Sequence, residues 1–156
     1  MKPPYTGISI ADGISICDAL NGLLADEFVL MTQTKFFHWT VEGPDFYSLH
    51  LLFDSQHAKL SELVDLVGEA VVQSGGTPVG TNSQIVELTQ LKEYGAVTTS
   101  VAMISLLLEN HEAIMRSVRS LLAEKSLEKA PEVCTLLEDL LADHSKMAWF
   151  LRASQS

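Results

Sequence analysis

Proline and glycine gather at a few places in this chain: Pro3-Pro4, Gly43-Pro44, Gly75-Gly76 with Pro78 and Gly80, Gly95, and Pro131. Between them lie four long stretches with apolar residues at three- and four-residue intervals and no strand-like alternation. The first, about Ser15 to Trp39, carries Leu20, Leu23, Leu24, Phe28 and Met31. The second runs from about Asp45 to Ser74, about 45 Å of helix at about 1.5 Å per residue. The third spans about Thr98 to Glu124 with Val101, Ile104, Leu108, Ile114, Val118 and Leu121 as its stripe, and the fourth about Lys129 to Ala153. Long helices with short connections predict an all-α, antiparallel four-helix bundle. The link from Gly75 to Gly95 is longer than a tight turn needs, so it is read as a crossover to the far end, with Gln84 to Leu91 as a short extra helix.

A chain of 156 residues suits one domain, 1–156, with 1–13 as a short N-terminal extension. Only 19% of residues are charged and the mean hydropathy is +0.19, so self-association is expected to cover apolar surface. The formal charge of -10 argues against binding DNA phosphates by bulk electrostatics, which needs clustered Lys and Arg, and favours attraction of cations. Cys17 and Cys134 lie far apart in helical patterns and encode no disulfide framework. Met1 to Gly13 lacks the make-up of a leader, and the longest apolar run, Val101 to Leu108, is broken by Ser105. A soluble, cytoplasmic protein is expected.

The chemistry concentrates on the second helix and its approach. At about 100° per residue, His50, Asp54, His57 and Asp65 fall within an arc of about 80°, with Glu69 about 40° further round. His50 and Glu69 lie about 28 Å apart along the axis, whereas ligands must converge to about 2.0–2.6 Å from one ion. One helix therefore cannot close a site. The pairs His50/Glu69, Asp54/Asp65 and His57/Glu62 are all centred on one point between Lys59 and Leu60. Two antiparallel copies would bring each pair level and create two equivalent sites. Two imidazoles with two carboxylates form a mixed N/O set suited to iron during oxidation, and zinc and manganese also fit it. His38, across the Gly43-Pro44 turn, is a candidate to complete the pocket. Trp39 beside it has an indole able to hydrogen-bond, to pack against the site, or to take up an oxidising equivalent.

At these residues the sequence resembles the Dps family, the mini-ferritins. The run KFFHWTVEG from Lys35 to Gly43, then LH at 49–50, LFD at 52–54, Asp65, GE at 68–69 and VVQSGGTPVGT from 71 are similar to the family signature in type and spacing. The resemblance implies a ferroxidase ligand set of His38, His50, Asp54, Asp65 and Glu69. It also implies a hollow dodecamer built from two-fold dimers, oxidising Fe(II) with hydrogen peroxide or O2 and storing ferric mineral as protection against oxidative stress. Leu51 and Leu52 follow His50 where many members carry a mineral-nucleating Glu. The tails offer only Lys2 and Arg152 as basic residues, so direct DNA binding is not expected.

Surplus histidines complicate the set. His57 sits on the ligand face one turn beyond Asp54 and is read as a further ligand or as a support for one. Imidazole-rich sites of this sort in some cyanobacterial relatives imply a shift toward zinc. His144, near Trp149, reads first as a structural histidine and second as an additional ligand, and His111 as a surface or pore residue. Asp54-Ser55-Gln56-His57 resembles half of the Glu-x-x-His pattern of di-iron bundles, but no second copy occurs. Two alternatives stand beside iron oxidation: a zinc-holding shell with little turnover, and a nucleoid-binding architectural protein.

Overall fold

The structure, a computed structural model, describes residues 6–155. Helix α1 spans Ile10–Thr40 and starts where the Ser9 side chain accepts the Asp12 N–H at 3.1 Å. The Asp12 carboxylate in the first turn suits the positive end of the helix dipole. Residues 10–13, expected in the extension, are therefore helical, and residues 1–5 lie outside the described part. After Gly43, with φ +103°, and Pro44, α2 runs Phe46–Gln73. Its end is closed by Gly75, with φ +90°, and by the Gly76 N–H donating to Val71 O at 2.9 Å.

The crossover carries α3, Asn82–Leu88, which begins earlier than expected because Thr81 and Gln84 form a reciprocal capping box. Helix α4, Ser100–Leu122, is capped by the Thr99 side chain. A 3-10 turn at Leu127–Lys129 then leads to α5, Pro131–Ala153, with proline in its first turn.

Polar contacts fix the helix directions. Cys17–Val71, His57–Met31 and His38–His50 run in constant antiparallel register along α1 and α2. Lys129–Asp12 and His144–Glu27 share one sequence separation of 117, so α5 runs parallel to α1. Helices α4 and α5 are antiparallel through His111–His144 and Arg152–Glu112. This is the four-helix bundle with a long crossover predicted from the sequence, and every described element is helical. The crossover is held where Asp26 accepts Thr89 Oγ1 and Gln90 N, both at 2.7 Å.

The core is formed by Leu20, Leu24, Leu30, Phe37, Phe53, Leu60, Leu63, Leu107, Ile114 and Leu137 among others. One stripe is rotated from its expected position. On α4 the buried face is Met103, Ile104, Leu107, Asn110, His111, Ile114 and Val118, and Val101 is exposed at 64%. His111 is thus an interior residue, not a surface one. No helix of the described residues is long and apolar enough to cross a membrane.

Candidate metal centre

The turn at Gly43-Pro44 folds the start of α2 back onto the end of α1 and sets His38 against His50. Their rings stack with centroids 3.8 Å apart and 22° between planes. His38 Nδ1 lies 2.9 Å from His50 O, and His50 Nδ1 lies 2.8 Å from His38 O. A carbonyl oxygen only accepts, so each Nδ1 carries the hydrogen and each Nε2 keeps its lone pair in the neutral ring. Reciprocal bonding therefore fixes ring position and tautomer together, leaving both Nε2 atoms available to other partners. Phe46 packs at 5.1 Å from the His50 ring.

Asp54, one turn beyond His50, joins this pair. His38 Nε2 stands 3.7 Å from Asp54 Oδ1, a gap that one ion with bonds of about 2.1 Å spans at an open angle. Lys35 Nζ reaches the same oxygen at 2.9 Å and holds the Asp54 carboxyl below its usual pKa, with desolvation opposing and the two imidazoles adding to the effect. Sequence reasoning passed over Lys35 as a site residue, although its place three residues before His38 on α1 was the available signal.

Asp65 and Glu69 are exposed further along α2. Both line a groove of about 580 Å3 whose other walls include Leu24, Phe28, Val64, Val72 and Val79. The structure thus separates the five expected residues into a His38–His50–Asp54 group and an Asp65–Glu69 group. Among the described residues, no three His, Cys, Asp or Glu side chains converge to hold an ion. His57 is half-buried with Nδ1 3.3 Å from Met31 O, again leaving Nε2 for other contacts. Trp39 is 69% exposed.

His144 does not join either group. It is fully buried in the bundle core, with Nε2 at 2.7 Å from Glu27 Oε1 and Nδ1 at 2.9 Å from His111 Nδ1. Both ring nitrogens are engaged, so its reading as an additional ligand gives way to the structural one. The buried Glu27 was missed altogether.

Comparison with known proteins agrees with this architecture. The family model for the ferritin-like domain matches residues 17–155. A low temperature-induced protein of Nostoc sp. is 34% identical over 140 residues, covering 88% of this chain and 78% of the relative. The DNA protection during starvation protein 2 of Bacillus anthracis is 31% identical over 147 residues, covering 88% and 94%. Among solved structures, DpsC from Streptomyces coelicolor superposes with a TM-score of 0.94 at 30% identity, covering all of this chain and 91% of the other. Fold and matches together define a ferritin-like protein. Within that class, the chain belongs to the Dps family, whose members store iron.

Proposed function

We propose that the chain is the subunit of an iron-oxidising, iron-storing shell whose ferroxidase site forms only between two copies. The observation that carries this reading is the division of the ligand set. His38, His50 and Asp54 lie together near the start of α2, while Asp65 and Glu69 border a groove further along the same helix. An antiparallel partner would place Asp65 and Glu69 of the partner subunit against the imidazole group, and the apolar walls of the groove suit burial in that contact. Imidazoles favour Fe(II) and carboxylates stabilise Fe(III), so the mixed set supports turnover.

The roles of the residues follow from their geometry. His38 and His50 present fixed Nε2 lone pairs; Asp54, Asp65 and Glu69 supply negative oxygens. With peroxide as oxidant, two Fe(II) ions each give up one electron, and hydrogen peroxide takes both as its O–O bond breaks to two hydroxides. No odd-electron oxygen species is released, which is the protective value of the reaction. Trp39, exposed beside His38, is assigned the role of a sink for a stray oxidising equivalent. Dodecameric assembly, with ferric mineral inside, is the form that the family relationship suggests.

Complementation tests the shared site. His50→Ala and Glu69→Ala are each expected to abolish the ferric absorbance rise that follows Fe(II) and substoichiometric peroxide. Co-expressed, they pair at random, and half of the dimers are mixed. Each mixed dimer has one doubly damaged site and one intact site, so about a quarter of wild-type activity returns. A co-expressed sample as inactive as its parents would refute a shared site. Tight zinc with no iron turnover in the wild type would instead favour a zinc-holding shell.

A further inference from the structure

Three ionisable side chains that the metal reading leaves unused meet in the bundle interior. Glu27 on α1, His111 on α4 and His144 on α5 are all 0% exposed. They form one hydrogen-bonded chain across the core, from Glu27 Oε1 to His144 Nε2 at 2.7 Å and from His144 Nδ1 to His111 Nδ1 at 2.9 Å. The two rings are tilted by 58° with centroids 5.0 Å apart. Each lies on the buried face of its helix, Glu27 after Leu20, Leu23 and Leu24, His111 between Leu107 and Ile114, and His144 between Leu140 and Met147, where an apolar residue would be expected.

Among the described residues, no hydrogen bond or ion pair brings a further charged side chain to them. From α2 comes Gln56, a neutral amide whose Nε2 donates to Met147 O. From α4 comes Asn110, also buried and neutral. The neighbouring Asp26 is committed to Thr89 and Gln90 of the crossover, and Asp143 to Lys59 near the surface. Buried Lys or Arg is absent among the described residues. Beyond the ends of the chain, Glu27 Oε2 and His111 Nε2 have no hydrogen-bond partner.

This arrangement limits the number of protons. Against an ionised Glu27, His144 donates from Nε2. The Nδ1–Nδ1 contact then needs one donor and one acceptor. A proton on His144 makes an imidazolium balanced by the carboxylate, and His111 Nδ1 accepts from it. One more proton, on His111, would set two N–H groups head to head and leave an unbalanced charge in the core.

We propose that Glu27, His144 and His111 form an internal proton latch: the Nδ1–Nδ1 contact in the core admits one hydrogen, and acidification that adds a second opens the bundle. Consistent with this geometry, burial and the charge of His144 hold the His111 pKa well below its ordinary value. The sign follows directly. Unfolded His111 takes up a proton near pH about 6.5, whereas the folded core resists it. Its contribution to stability is therefore present above about pH 6.5 and is lost as the pH falls below it. Per chain, the unfolding constant rises by up to about tenfold for each further pH unit.

The latch is tested on the full-length protein by thermal unfolding, followed by circular dichroism between pH 8 and pH 5 at fixed concentration. The wild-type midpoint is expected to fall steeply below about pH 6.5, and the fall is expected to be shallower in His111→Gln. Parallel curves for the two proteins would overturn the proposal. Should the variant fail to fold, the wild type labelled at histidine 13Cε1 decides by NMR. A His111 signal that stays neutral until the bundle unfolds supports the latch, and one titrating near pH 6.5 within the folded protein overturns it. Cobalt(II) bound by the His111–His144 pair in a His50→Ala/Glu69→Ala background would overturn it as well.

Discussion

Lys35 and Asp54 show how a single contact can set the working range of a candidate metal ligand. The ammonium at 2.9 Å holds the carboxyl below its ordinary pKa, so Asp54 stays ionised to a lower pH than a free Asp side chain. The same contact occupies the oxygen that a cation needs. Lys35→Gln is therefore expected to raise cobalt(II) affinity a few-fold at neutral pH, a modest effect because the pair is partly exposed. In the variant the acid limb of binding should also move to higher pH. Absorbance titration of cobalt(II) at several pH values reads both effects, and unchanged affinity with an unchanged acid limb would contradict this role. The mutual imidazole–carbonyl bonds make a second prediction at this scale. His38→Gln removes one ligand and also the bond that orients His50, so it is expected to weaken binding more than His57→Gln, whose only described bond is to Met31 O at 3.3 Å.

At the scale of the elements, the turn after α2 has the tightest steric constraint. A Cβ on Gly76 would lie 2.6 Å from Cys17 Sγ and 3.0 Å from Val71 Cγ1, both in the packed seam between α1 and α2. Gly76→Ala is expected to destabilise the bundle by about 1–3 kcal/mol through overpacking, measurable as a lowered unfolding midpoint. The start of α1 depends on the Ser9 cap, and Ser9→Ala is expected to cost about 1 kcal/mol. The same helix shows what the sequence does and does not disclose. From Leu20 onward an apolar stripe marks it plainly, but Ile10 and Ile14 are exposed at 84% and 59%. They add nothing to a core-facing pattern, and only the Ser9–Asp12 cap announces the true start. On α4 the apolar residues are dense enough to support more than one stripe. A reading centred on Val101 and Leu108 misses the face that carries His111. The candidate ligand positions on α2 stand out in the sequence because carboxylates and imidazoles at helical spacing contrast with Leu and Val. The interior trio does not, because one polar residue per helix looks like the edge of a stripe until the helices are packed together.

For the molecule as a whole, the formal charge of -10 per chain bears on partners. Little basic surface is available to release counterions from a duplex, so mobility of plasmid DNA at low salt is expected to be unaffected by the protein. Retention in the well would reverse that expectation. The division of ligands along α2 also has a consequence in time. On the proposed reading, a newly made chain carries both halves of the ligand set but cannot use them on itself, since one rigid helix holds them apart. Oxidative capacity would then appear only when a chain meets its partner, and it would scale with the square of subunit concentration at high dilution. On the proposed reading a lone subunit oxidises no iron, and that chemistry begins with the dimer.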